Sequence, residues 1–182
     1  MFDIGAHCGV STYHFSRLVG PAGRVIAFEP DPLNHSLLVR NIERHQLSNV
    51  TAVDSAIAAT HGYATFLTEG TIGSNLARTC SRDTVGSTIQ VPAMTLSEAF
   101  RTYGKPARCK VDIEGAELEV LEASQDLLAS ERTNLVLDTN HRVGGALTTD
   151  RVESILRRCG YECASMTEPA TTWARPLAFS PA

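Results

Sequence analysis

The chain has 182 residues, 43% of them hydrophobic, and a formal net charge of −4. That length suits one domain with a full core, and Lys and Arg scattered over an acidic chain argue against a nucleic-acid partner. No apolar run approaches the roughly 20 residues that span a bilayer, and Asp3 and His7 interrupt any secretory leader, so a cytoplasmic chain with no membrane partner is expected. Cys8, Cys80, Cys109, Cys159 and Cys163 contain no C-x-x-C spacing and read as reduced thiols rather than a disulfide frame or zinc site.

The opening stretch Phe2-Asp3-Ile4-Gly5-Ala6-His7-Cys8-Gly9 reads as the end of a buried strand, a glycine turn and the start of a helix reaching Val19. Gly20-Pro21-Ala22-Gly23 stops that helix, and Arg24 to Glu29 is a second apolar strand ending in a carboxylate. Glu29 follows Gly9 by 20 residues, the separation at which a strand–turn–helix–strand unit brings an acid to a nucleotide ribose. Asp31-Pro32 then supplies an N-cap and a first-turn proline for a helix carrying Leu33, Leu37, Leu38 and Ile42, and Val50 to Asp54 is a third strand.

Strands alternating with helices predict a doubly wound parallel sheet. Tyr63–Leu67 and Thr88–Val91 break the alternation and predict an antiparallel excursion, with residues 68–87 as a mobile loop able to serve as a substrate lid. Thr95-Leu96-Ser97-Glu98 is a capping box opening a helix to Tyr103. Cys109–Asp112 is a fourth parallel strand, residues 115–128 a helix, Asn134–Asp138 a fifth strand, and Val152 to Cys159 the apolar stripe of a last helix. Residues 166–182 are a tail or a final strand, and the whole chain is expected to be one domain.

Four expected strands end in acids, Glu29, Asp54, Asp112 and Asp138, and ligands of such sheets bind beyond those ends. The turn lacks the third glycine of a dinucleotide fingerprint, and Asp3 would repel a pyrophosphate while tolerating a sulfonium. These residues favour S-adenosylmethionine over NAD. The plainer alternative is an ordinary strand-to-helix turn with a buried capping acid. In Asp112-Ile113-Glu114-Gly115-Ala116-Glu117 the acids either face ligand or favour a positive helix N-terminus. Lys110 either pairs with a carboxylate at the pocket or points outward. His141 is a candidate general base or a surface residue. Asp112, Asp138 and Asn140 are weaker candidates to hold Mg²⁺.

The blocks Asp3–Gly9, Val19–Pro30, Asn41-Ile42 with Leu47–Val50, and above all Lys110-Val111-Asp112-Ile113-Glu114-Gly115-Ala116-Glu117 resemble the FkbM-type S-adenosylmethionine-dependent methyltransferases, in order from residue 2 to about 141. The resemblance implies a Rossmann-like class I fold: a mostly parallel seven-stranded sheet, helices on both faces and the last strand antiparallel. It implies that Asp3, Gly5 and Gly9, with Ala6 between them, line the methionine end of the cofactor. Glu29 would hold the ribose hydroxyls, and Asp54 or Ser55 would meet the adenine. Asp112 and Glu114 would face the methyl group, with Asp112 or His141 as base. The family's chemistry implies O-methylation of a small hydroxylated molecule such as a sugar or natural product. Departures are Ser97, where an acid is usual, Asp138, where Glu is usual, and an opening strand that reads as truncated, which predicts weak cofactor binding. The competing readings are a degenerate, non-catalytic cofactor-binding module and an NAD-dependent oxidoreductase.

Overall fold

The computed structural model describes residues 1–68, 75–76 and 87–177. Its main sheet is built from β1 (Phe2–Ile4), β2 (Val25–Phe28), β3 (Val50–Val53), β8 (Arg108–Val111), β9 (Asn134–Asp138), β12 (Tyr161–Thr167) and β13 (Ala170–Pro176). These seven strands lie in the order β12-β13-β9-β8-β1-β2-β3. The first five in chain order pair in parallel, and β13 enters antiparallel to both β9 and β12. The mostly parallel seven-stranded expectation therefore holds, antiparallel last strand included. The three-residue β1 lies inside the sheet next to the central β8, hydrogen-bonded on both sides.

Alternation along each strand divides the two faces. Phe2, Ile4, Ile26, Phe28, Cys109, Val111, Leu135 and Leu137 point into the larger core, where they meet α3 (Leu96–Tyr103), α4 (Glu117–Ala123), α5 (Gln125–Glu131) and α6 (Thr149–Arg158). Ala27 and Ala52 point the other way, toward Leu38 and Ile42 of α2 (Pro32–Arg44). The helix α1 (Val10–Val19) is tied down by polar contacts: Ser16 Oγ donates to Asn49 Oδ1 (2.6 Å), and Asn49 Nδ2 donates back to the carbonyls of Ser16 and Gly20. The expected helix over residues 115–128 is two helices, α4 and α5, meeting at Ser124.

Two of the cap assignments have the expected chemistry. Asp31 accepts from Leu33 N and Asn34 N with Pro32 in the first turn, and Thr95 and Glu98 complete a reciprocal capping box. The excursion is a second sheet in the order β4-β7-β5-β6, with β4 (Ala56–Ile57), β5 (Gly62–Thr68), β6 (Asn75–Leu76) and β7 (Ser87–Met94). Of the expected loop over 68–87, Thr68 and Ser87 belong to paired strands and residues 75–76 pair with β5; the remainder lies outside the described residues. Of the segment 166–182, residues 166–167 and 170–176 are strand, 168–169 the turn between them, and residues 178–182 lie outside the described residues. The small hairpin β10 (Arg142–Val143) and β11 (Ala146–Leu147) follows β9. The four described cysteines, Cys8, Cys109, Cys159 and Cys163, are free thiols.

Thr95→Ala removes the hydroxyl that caps α3 and should lower stability by about 1 kcal/mol, seen as a fall of a few degrees in a thermal melt. An unchanged melting temperature would show that the box contributes nothing to this helix.

Candidate functional site

The cleft lies where the sheet's strand order reverses, beyond the carboxyl ends of β1, β2 and β8, the place where open α/β sheets bind ligands. Counted out into open solvent its empty space is ≈ 670 Å³, and Gly5, Glu29, Ser55, Phe66, Asp112 and Glu114 are among its walls. The turn after β1 folds tightly against β8. Gly5 has φ +76°, and a Cβ there would fall on the backbone carbonyl of Asp112, so no other side chain fits. Gly9, φ +92°, packs against Leu38 on the far side of the turn.

The N–H groups of this turn have partners within the protein. Gly5 N and Ala6 N both donate to the carbonyl of Phe28 (3.0 Å each), Gly9 N donates to the carbonyl of Ala6, and His7 N donates to Glu29 Oε2 (2.7 Å). Glu29 Oε1 accepts from Asp31 N at 2.9 Å, so this carboxylate joins the turn after β1 to the turn after β2. Glu29 is 5% exposed, and burial pushes its pKa from an ordinary 4.5 up to about 7, outweighing the backbone donors and the more distant Lys110.

Beneath the turn, Lys110 settles the alternative left open by the sequence in favour of carboxylate pairing. Its Nζ donates to the carbonyl of Gly5 (2.6 Å) and lies 3.5 Å from Asp3 Oδ1 and 3.4 Å from Asp112 Oδ2. Asp3 is fully buried, and its Oδ2 accepts from Ser11 Oγ (2.8 Å) and Thr12 Oγ1 (2.6 Å) of α1.

Behind Asp112 the acidic block bends sharply: Glu114 has φ +57° and Gly115 φ +102°. His141 sits between two of its acids, with Nε2 3.2 Å from Glu114 Oε2 and Nδ1 3.4 Å from Glu117 Oε1. Burial by itself would lower the imidazole pKa, but the two carboxylates override it and lift it to about 10. The two acids thus favour the charged form of the ring. In this arrangement it supplies charge.

Of the residues singled out in the sequence, Gly5, Glu29, Ser55, Asp112 and Glu114 line the cleft. Asp3, Ala6 and Gly9 lie under or behind the turn, Asp54 is exposed outside the lining, and His141 stands behind Glu114. Ser55 Oγ donates to the carbonyls of Ala56 and Pro92. Asp138 Oδ1 accepts from Asn140 N in a local turn, and the group of possible metal donors around Asp112 contains Glu117 and His141 instead of Asp138 and Asn140. Sequence reasoning missed Asn34, Ile57 and Phe66 as lining residues. Phe66 comes from the excursion sheet, and nothing in its spacing signals which way it points.

The family model of the methyltransferase FkbM domain matches residues 3–163. The chain belongs to that family. Methyltransferase sdnD of Sordaria araneosa is 26% identical over 209 residues, an alignment covering 98% of this chain and 78% of that protein. The methyltransferase FkbM structure from Methylobacillus flagellatus superposes with a TM-score of 0.62 at 20% identity, covering 96% of this chain but only 42% of that one. Fibrillarin of Aeropyrum pernix, solved with natively bound S-adenosyl-L-methionine, gives 0.58 at 13% identity over 96% of this chain and 64% of its own. At such identities the structures speak for the fold, and the fold of this FkbM domain is the Rossmann-like methyltransferase sheet.

Lys110→Met should cost roughly 3–5 kcal/mol of stability by leaving Asp3 as a buried charge without its cation. Adding Asp3→Asn should recover part of that loss, giving a coupling of at least about 1 kcal/mol in a denaturant double-mutant cycle. Simple additivity would mean that the ion pair is not what holds these strands together.

Proposed function

We propose that this FkbM domain is an S-adenosylmethionine-dependent O-methyltransferase acting on a small hydroxylated molecule, a sugar or natural product. The observation that carries the reading is the character of the cleft. It offers carboxylates, Glu29 on one side and Asp112 and Glu114 on the other, while four of the turn's N–H groups already have acceptors. A pyrophosphate favours free N–H groups and positive potential, whereas these four N–H groups are taken and the walls are acidic; a sulfonium with an ammonium group is better matched to such walls. This favours the methyl donor over NAD.

In this reading the ribose hydroxyls donate to Glu29, and the adenine lies among Ile57, Phe66 and Ile113. The acceptor oxygen approaches the methyl carbon in line; the C–O bond forms as the C–S bond breaks and sulfur keeps the electron pair, leaving S-adenosylhomocysteine. The hydroxyl proton passes to Asp112, which lines the cleft and keeps 35% of its side chain exposed. Positioning supplies most of the rate and the base the rest. Gly5 keeps the turn low enough for the cofactor to lie across it.

Methyl transfer from labelled donor to a panel of sugars and polyketides, with NAD and S-adenosylhomocysteine compared by calorimetry, tests the reading. At least hundredfold tighter binding of S-adenosylhomocysteine and a methylated product are expected. Comparable NAD binding would overturn the choice of cofactor, and donor binding without transfer to any acceptor would point to a non-catalytic module. Asp112→Asn should lower kcat by about 10²- to 10⁴-fold with cofactor affinity within a few-fold, and full turnover would remove Asp112 from the role of base.

Glu29 gives the pH dependence. Its raised pKa adds stability to the empty protein below the ordinary value of 4.5, and that contribution, about 3 kcal/mol, is lost as pH rises to about 7. Ribose hydroxyls favour the ionised form, so affinity for S-adenosylhomocysteine should climb between pH 5.5 and about 7, then level off. Glu29→Gln should flatten that profile and weaken binding about 10- to 100-fold at pH 8. A pH-independent wild-type affinity would contradict this assignment.

A further inference from the structure

Behind the cleft, the ends of β8 and β9 bring together a group of side chains that positioning a cofactor does not require. One donor atom each from Asp112, Glu117 and His141 lies within 4.8 Å of the other two, the one such cluster found among the described residues. Two of its atoms are buried without hydrogen-bond partners. Glu117 is fully buried and its Oε2 meets no donor, while Nδ1 of His141 makes no hydrogen bond although Glu117 Oε1 lies 3.4 Å away. Leaving such atoms unpartnered is costly, and native proteins rarely do so without a reason.

The surroundings have the form of a ligand sphere. An imidazole that binds a metal through one nitrogen usually presents the other to a carboxylate that orients it. His141 presents Nε2 to Glu114 at 3.2 Å, with Nδ1 toward Glu117. The Glu117 carboxylate is itself fixed by Ile113 N, which donates to Oε1 at 2.8 Å. The His141 backbone carbonyl accepts from Thr148 N, which steadies the segment carrying the ring. Asp112 belongs to both the cluster and the cleft wall.

We propose that Asp112, Glu117 and His141 form a binding site for a divalent first-row transition cation such as Mn²⁺ or Zn²⁺, with Glu114 orienting the imidazole. An imidazole donor beside two carboxylates suits these ions better than Mg²⁺, which prefers oxygen ligands and water. The cation takes the place of the Nδ1 proton between the two acids and supplies the partner that Glu117 Oε2 lacks. Three protein ligands leave coordination positions open. The further role rests on the methyltransferase reading: through Asp112 the site adjoins the cleft, so an open position is available to the acceptor's hydroxyl oxygen beside the methyl group.

The chain, stripped with a chelator, is titrated with Mn²⁺ followed by electron paramagnetic resonance, then with Zn²⁺ and Mg²⁺ in competition, with no substrate present. One Mn²⁺ per chain is expected, displaced by Zn²⁺, with Mg²⁺ at least tenfold weaker. His141→Gln and Glu117→Gln should each weaken Mn²⁺ at least tenfold; circular dichroism checks that the buried Glu117 variant folds, and His141→Gln decides the matter if it does not. Absence of saturable Mn²⁺ binding, or binding unchanged in His141→Gln, overturns the site. S-adenosylhomocysteine affinity on the same samples separates the two claims: cofactor binding without metal leaves the methyltransferase reading standing and removes the cation, and metal binding without cofactor does the reverse.

Discussion

The structure turns on one partly buried ammonium, that of Lys110. Asp3 and Lys110 are register partners on β1 and β8, so alternation puts both side chains on the same face of the sheet, away from the aromatic core. There the lysine reaches a fully buried carboxylate, the Gly5 carbonyl in the turn after β1 and the first acid of the Asp112–Glu117 block. An ion pair at this depth is weak evidence for stability, because desolvation consumes most of its attraction. What it fixes is position. A single cation holds the floor of the cleft and one wall in a set relation, with α1 joined to the same cluster through Ser11 and Thr12.

The opposite wall follows the same logic with the sign reversed. Glu29 is buried where water cannot solvate it, and its two oxygens take backbone N–H groups from two successive turns. Those bonds hold the carboxylate in place before any ligand arrives, while burial raises its pKa in spite of them. Left-handed backbone at His7 (φ +52°) and Glu114 (φ +57°) sits on either side, both residues lining the cleft. Such conformations persist only where surrounding contacts over-determine them, and they concentrate at ligand sites. Here the contacts are visible: Glu29 holds His7 N, and His141 lies against Glu114.

Much of the fold was legible because its signals are local. Asp31-Pro32 and Thr95–Glu98 state their helix starts in side-chain chemistry, and the apolar run Val25–Phe28 is a strand buried on both faces. Family-like residues with no obvious role acquire one in three dimensions: Asn41 Nδ2 holds the carbonyl of Cys8 in the turn, and Asn49 ties α1 to the start of β3. The site was legible only in part. Strand-end acids were identifiable as a set, yet whether a side chain faces the cleft depends on a half-turn of backbone, which is why Asp54 points out and Ser55 in. Asp3, which the family resemblance sets at the methionine end of the cofactor, is turned by its parity on β1 toward Lys110. Phe66 and Asn34 reach the cleft from elements whose tertiary placement no spacing encodes.

The acidic block carries the last step. Acids at the start of a helix are ordinarily explained by the positive end of its dipole, an effect of about 0.3–1 kcal/mol for an exposed carboxylate. That explanation covers Glu119, not Glu117, which is fully buried and whose second oxygen has no donor. One backbone N–H does not offset the desolvation of a carboxylate, so the balance needs a positive charge beside it, and His141 is placed to provide or host it. The block therefore has two orientations built into six residues: Asp112 and Glu114 toward the cleft, Glu117 inward, with the bend at Glu114-Gly115 between them. A chain that needed only to cap a helix would leave the third acid at the surface. Drawing it inside to face an imidazole places a buried acid and its cationic neighbour directly behind the cleft wall.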